Sequence, residues 1–400
     1  MNTKRAPKVR FKGFTDAWEL RKLGEITNSY SGGTPSVGID EYYDGKIPFI
    51  RSGEINSEST EFFLTETGLN NSSAKMVNVG DILYALYGAT SGEVGVSRIC
   101  GAINQAILAI IPDNGYDTYF IMQWLRREKQ NIVSTYLQGG QGNLSGTIVK
   151  DLTIDFPNTY IEQEKIGGFF RNLDNLITLH QRKLDKMKEL KKTFLNLIFS
   201  QKLRFRGFTD SWELRKLGEI TEKITRKNQS LESLLPLTIS AQHGLIDQNS
   251  FFNKQIASKD VSGYYLIKNG EFAYNKSYSN AYPWGAIKRL DLHDKGVLST
   301  LYIVFKPTNV ESNFLVSYYS ADNWHKEVSI RAAEGARNHG LLNISPQDFF
   351  ETKLLIPNKY EEQEKIGVFF KKLDNLIIFN QDKINRLKNV KKILLRNMLI

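Results

Sequence analysis

The sequence predicts an α+β chain: two tandem mixed α/β domains separated by two long helices that pair as an antiparallel coiled coil, with an internal pseudo-two-fold repeat. Three observations carry that prediction. RFKGFTDAWELRKLGEIT at 10–27 returns as RFRGFTDSWELRKLGEIT at 204–221, differing only at Lys12/Arg206 and Ala17/Ser211. Residues 160–192 return as 360–392 with nineteen of thirty-three positions identical, including EQEKIG (162–167, 362–367) and LDNLI (173–177, 373–377). Between these repeats lie two middles that share landmarks but little chemistry, the mark of one supersecondary plan used twice. The expected divisions are a first domain at 1–158, a helix at 159–201, a second domain at 202–358 and a second helix at 359–400.

Each middle reads as strand-rich. AILAII (106–111) and LYIVF (301–305) are continuous apolar runs bounded by Gly and Pro, as buried strands are. GAINQAILAIIPDN (101–114) lines up with GVLSTLYIVFKPTN (296–309), and Gly80 to Tyr84 lines up with Gly270 to Tyr274. SGGTPS (31–36) and YSNAYPWG (278–285) are loop signals. A helix is expected from Tyr119 to Val133, with a counterpart near Phe314 to Ser320.

The repeated exits are the long helices. Thr159 with Glu162 offers a capping box, and Asn358 with Glu361 the same pairing in the second copy. Ile166, Phe170, Leu173, Ile177 and Leu184 form an apolar stripe at heptad spacing, repeated by Ile366, Phe370, Leu373, Ile377 and Ile384. His180 and Asn380 interrupt it at matching positions, either as tolerated polar residues or as a register lock. Antiparallel pairing follows from connectivity. A helix of about 38 residues is about 57 Å long, a gap that a compact second domain would have to bridge if the helices ran parallel. Gly167 and Gly367 are expected to permit close packing.

Composition narrows the function. With 400 residues, 41% of them hydrophobic, the chain has core material for two or three domains. No apolar run is long enough to span a membrane, and MNTKRAPKVRFKGF lacks the apolar centre of a secretory signal. The single cysteine, Cys100, excludes an intrachain disulfide, fits a reducing cytoplasm and reads as core filler. The net charge of +10 points to a polyanion, yet it is uneven: 28–159 has 8 basic and 14 acidic residues, whereas 222–359 has 16 and 13. Asp40, Glu41, Asp44, Glu54, Glu58 and Glu61 crowd one stretch, which is expected to face away from phosphate. No phosphate-binding loop, dinucleotide fingerprint, Pro-Pro-Tyr or Pro-Pro-Phe motif, or metal-ligand spacing of histidines occurs, so no catalytic residue and no metal site is assigned.

Tandem variable domains separated by repeated helices resemble the specificity (S) subunit of Type I restriction-modification systems. GGTPS (32–36) followed by IPFIRSGEI (47–55) is similar to the opening of that family's target-recognition domain, and the repeated Glu-Gln and LDNLI motifs are similar to its conserved helical regions. The resemblance implies a sequence-specific, non-catalytic DNA-binding subunit in which each variable domain reads half of a split double-stranded target. It implies that the helices act as a ruler and dock two methyltransferase subunits, joined later by restriction subunits. No cofactor is expected on this chain; S-adenosylmethionine and ATP belong to the partners. Two alternatives stay open: a coiled-coil scaffold with two protein-binding domains, and a self-sufficient DNA-modifying enzyme.

Base readout needs polar tips on ordered loops. In the first middle the candidates are Thr90, Ser91, Gln138, Gln141 and Asn143. In the second they are Lys276, Ser277, Tyr278, Arg337, Asn338 and His339, with Lys276 and Arg337 favoured as basic tips framed by aromatic or glycine residues. Each reads equally as an ordinary surface loop residue.

Overall fold

The computed structural model describes residues 6–137, 143–240, 244–254, 256–277, 282–332 and 342–400. Its contacts divide it into two units, Met1–Gln181 with Asp382–Ile400, and Arg182–Gln381. The divisions fall inside both long helices rather than at their ends. Each unit has the mixed α/β character expected from the sequence.

In the first unit a four-stranded antiparallel sheet runs in the order Thr27–Ser31, Ile107–Pro112, Ile82–Ala85, Val94–Val96. Its central strands are covered on both faces, which is why they read as unbroken apolar runs. Ile82, Tyr84, Leu108 and Ile110 join a core with Phe120, Ile121 and Leu125 of the helix Thr118–Tyr136. Leu83, Ala85, Ile107 and Ala109 join a separate core with Ile50 and Ile103. That alternation is the period-two geometry of a strand. A second sheet, Phe62–Leu64, Tyr43–Ile50, Gly101–Ile103 and Lys75–Val77, supplies the other layer.

The second unit repeats the first sheet in the same order: Thr221–Ile224, Ile303–Pro307, Phe272–Asn275, Ala286–Arg289. Phe272, Tyr274, Ile303 and Phe305 face a core with Phe314 and Tyr318 of the helix Ser312–Tyr318, while Ala273 and Val304 face another with Ile224 and Leu298. The covering layer differs. Here it is two strand pairs, Leu237–Ser240 with Gly244–Asp247 and Tyr265–Lys268 with Lys295–Leu298.

The entry repeat is a seat for the helix of its own half. Glu19–Lys22 pairs antiparallel with Thr153–Phe156, and Glu213–Lys216 with Lys353–Ile356, just ahead of each long helix. Arg10 forks onto the Glu162 carboxylate at 2.5 and 2.7 Å, and Arg204 onto Glu362 at 2.9 and 2.7 Å. The neighbouring glutamine clamps the domain helix: Asp117 N–H donates to Gln163 Oε1 at 3.0 Å and Glu311 N–H to Gln363 Oε1 at 2.8 Å. Entry and exit repeats therefore recur together because each glutamate and glutamine of the exit has its partner within the same half.

Three expectations are corrected. Thr159 Oγ1 accepts from the Glu162 amide at 3.4 Å, but the Glu162 carboxylate does not close a capping box. It goes to Arg10 instead, because a forked charge-assisted pair outcompetes a neutral cap. The second helix begins at Tyr360, which puts Lys359 rather than Asn358 at the cap position. Cys100 is exposed, not core filler; it stands between the bend at Arg98-Ile99 and the strand Gly101–Ile103.

The long helices are Tyr160–Phe199 and Tyr360–Met398. In the first unit Leu395, Met398 and Leu399 share a core with Ile166 and Phe170, and Trp124 donates to the Ile400 carbonyl at 3.0 Å. In the second unit Leu195, Ile198 and Phe199 share a core with Ile366 and Phe370. Within each unit the end of one long helix meets the start of the other, so the two segments run antiparallel there.

Candidate nucleic-acid interface

In the first unit the hairpin after Ile82–Ala85 turns through Gly88 and Gly92, whose φ angles of +85° and +77° suit glycine. Thr90 and Ser91 sit half-buried in this turn; the Ser91 hydroxyl donates to the Gly88 carbonyl at 2.9 Å, and the Thr90 carbonyl accepts from Glu93 at 2.8 Å. Asn143 is exposed and bridges to Tyr87, while the Leu144 amide donates to the Leu86 carbonyl at 2.9 Å. Gln138 and Gln141 lie outside the described residues.

The second unit makes the same juxtaposition, with the Leu342 amide donating to the Lys276 carbonyl at 2.9 Å. The Lys276 ammonium turns back to the Ile344 carbonyl at 3.4 Å. Ser277 is exposed, with its amide donating to Asn275 Oδ1 at 3.0 Å. Tyr278, Arg337, Asn338 and His339 lie outside the described residues.

A third segment, the turn ahead of the central strand, joins each edge, and sequence reasoning did not name it among the base-reading candidates. The SGGTPS loop crosses the end of the strand Gly101–Ile103, with the Gly33 amide donating to the Ile103 carbonyl at 3.1 Å. A Cβ at Gly32 would stand 1.9 Å from that carbonyl oxygen, so only glycine passes. The crossing sets the Thr34 hydroxyl on Gln105 Oε1. Burial raises the Tyr87 pKa, and a hydrogen bond to Gln105 partly offsets that rise. In the second unit Ser299 lines a cleft of about 280 Å³ together with Gln248, Asn275, Ser277 and Tyr302. The overlooked signal was a polar pair, Asn104-Gln105 or Ser299-Thr300, inside each otherwise apolar run.

Along the helices, Ile166, Phe170, Ile366 and Phe370 are buried in the domain cores, Leu173, Ile177, Leu373 and Ile377 are half-buried, and Leu184 and Ile384 are buried. Asn380 is buried, donating to the Leu376 carbonyl at 2.8 Å and standing 3.7 Å from the Met187 sulfur. His180 is half-buried and its Nδ1 has no partner. The LDNLI motif has a use the sequence did not disclose. Asp174 accepts from Gln123 at 2.8 Å and Arg126 at 3.0 Å, tying the domain helix to the long one. Lys288 occupies the corresponding region of the second unit, where burial and the Lys191 charge lower its pKa against the pull of Asp374. Among the described residues no helix is long and apolar enough to cross a membrane, and no His/Cys/Asp/Glu group could hold a metal.

A strand-rich domain that offers polar turns at one sheet edge and is braced on a long helix is thus written twice in one chain. Residues 15–189 match the family model described as the Type I restriction modification DNA specificity domain. The chain is 21% identical to the Type I restriction enzyme MjaVIII specificity subunit of Methanocaldococcus jannaschii, over 94% of this chain and 90% of that one. It is 23% identical to the MjaIX specificity subunit of the same organism, over 61% of this chain and 62% of that one, less than two thirds of the relative's length. The crystal structure of a Type-I restriction-modification S subunit from M. genitalium shares the fold, with a TM-score of 0.66, 16% identity and 99% of both chains covered. The chain is thus similar to Type I restriction-modification specificity subunits, by the family model over residues 15–189 and by sequence over nearly its whole length.

Proposed function

We propose that this chain is the non-catalytic specificity subunit of a Type I restriction-modification complex, working in the cytoplasm, in which each unit reads one half of a bipartite double-stranded DNA target. The observation that carries this reading is the repeated skeleton with unlike tips. The same four-strand order and the same hairpin–turn juxtaposition occur in both units, yet Leu86-Tyr87 in one stands where Lys276-Ser277 stands in the other. A shared operation on two different sequences needs that combination.

Docking of two methyltransferase subunits, with restriction subunits added to them, is supported by exposed apolar residues at matching positions outside the helix stripe: Tyr160 and Tyr360, Leu176 and Leu376, Leu179 and Phe379. Such residues on otherwise charged helices suit a protein partner. S-adenosylmethionine and ATP are assigned to those partners.

The test is a domain exchange. Replacing 222–355 by the corresponding segment of a relative is expected to change one half of the methylated sequence and spare the other, with methyl transfer requiring the partner subunit. Binding should weaken steeply with salt, as phosphate contacts dictate. A chain that binds no DNA at any salt concentration would be a protein scaffold, and one that turns over S-adenosylmethionine alone would be an enzyme.

A further inference from the structure

We infer that the polar pair opening the turn ahead of the central strand, Asn104-Gln105 in the first unit and Ser299-Thr300 in the second, is a base-reading element that sets part of each half-site. The inference rests on the proposed DNA-reading function and gives it a location. Both turns are built alike. Asn104 Oδ1 accepts from the Ala106 amide at 3.2 Å, and its carbonyl accepts from Ile107 at 3.1 Å. Ser299 Oγ accepts from the Leu301 amide at 3.3 Å, and its carbonyl accepts from Tyr302 at 3.1 Å. The first residue of each pair thus holds the turn, and the second, Gln105 or Thr300, is exposed next to buried strand residues.

The chemistry at this matched position differs as a specificity position should. A glutamine amide presents donor and acceptor together and pairs with two edge atoms of adenine, whereas a threonine hydroxyl makes a single contact with many edges. Gln105 is also held in advance. The Thr34 hydroxyl donates to its Oε1 and its amide group hydrogen-bonds Tyr87, which orients the side chain, lowers the ordering cost of binding and leaves the second lone pair of Oε1 and the second amide hydrogen for a base edge. On the other unit, Thr300 follows Ser299 at the rim of the cleft lined by Asn275, Ser277 and Gln248. That cleft is polar enough to receive base edges and lies at the sheet end where the hairpin begins.

The experiment uses the full-length chain assembled with its methyltransferase subunit on a library of duplexes with randomised bases. Gln105→Ala is expected to lose about tenfold discrimination at one base of one half-site and leave the other half-site intact. Thr300→Val should do the same in the opposite half-site. Gln105→Glu keeps the side-chain length and the Thr34 contact and should move the preference from adenine towards cytosine, whose amino group a carboxylate accepts; it decides the matter if Gln105→Ala does not fold. Unchanged half-sites in Thr300→Val and Gln105→Glu overturn the inference alone. A wild-type complex that selects no bipartite sequence overturns the function on which it rests.

Discussion

Lys391 Nζ lies 2.6 Å from the Asp174 carboxylate, although 217 residues separate them in the chain. In the second unit Lys191 Nζ lies 2.6 Å from Asp374, the same motif positions with the helices exchanged. Each aspartate is the Asp of LDNLI, and each lysine belongs to the repeated exit. Asp174 balances Arg126 as well as Lys391.

Removing that carboxylate leaves two cations facing each other. Asp174→Ala is expected to lower stability in urea unfolding by about 2 kcal/mol, less than the ~3–5 kcal/mol of a fully buried pair because the site is partly wet. Lys391→Met should cost less than half as much, since Asp174 keeps Arg126 and Gln123. Equal losses in the two variants would contradict a shared carboxylate.

Gly167 and Gly168 are neighbours with opposite expectations. A Cβ at Gly167 would meet Asp117 Oδ1 at 2.0 Å, and one at Gly367 would meet Glu311 Oε2 at 2.5 Å, whereas a Cβ at Gly168 meets nothing within 4 Å. Gly167→Ala should therefore destabilise by about 1–3 kcal/mol through overpacking of the helix N-terminus. Gly168→Ala should stabilise by up to about 1 kcal/mol through helix propensity. Thermal unfolding of the two variants side by side checks the contrast.

Lys288 makes stability depend on alkaline pH. Burial, then the Lys191 charge, pulls its folded-state pKa below the ordinary 10.5. The folded chain gives up this proton before the unfolded chain does, so stability rises as pH increases through the folded value and stops gaining at 10.5. Lys288→Met should remove that rise and increase stability at neutral pH. Urea unfolding from pH 7 to 10 reads both effects, and an unchanged alkaline slope would exclude the assignment.

The fragment 1–201 carries one complete seat and one complete long helix. Without 382–400 it exposes the Ile166–Phe170 core surface that Leu395, Met398 and Leu399 cover. A second copy offers Leu195, Ile198 and Phe199 for that surface, residues that already do this for Ile366 and Phe370. It also offers Lys191 for Asp174. A concentration-dependent dimer is expected in analytical ultracentrifugation, and its methylated target, with partner subunits present, should be a palindrome of the first half-site. A monomer at tens of micromolar would refute the pairing.

Much of the candidate site was legible in kind but not in place. The alternation within Ile107–Pro112 and Ile303–Pro307 needed both faces covered, and apolar runs bounded by Gly and Pro disclosed that directly. Hairpin residues such as Ser91 looked like free tips, but the turn uses the hydroxyl on its own backbone. Lys276 looked like a basic tip, yet its ammonium rests on a carbonyl 68 residues away. Gln105 was not singled out by the sequence, and the structure makes it the exposed member of a turn.

The sequence by itself determined the duplication, the long helices and the strand order's apolar pattern, because these are periodic signals that local geometry converts into structure. Only the tertiary structure decided which partner each repeated polar residue takes: Arg10 for Glu162, Asp117 for Gln163, Lys391 for Asp174. The physical reason is that a charge or an amide carries no record in the chain of the group that will satisfy it. Its partner is whatever the packed elements bring within about 3 Å, and that distance exists only after the strands and helices have met.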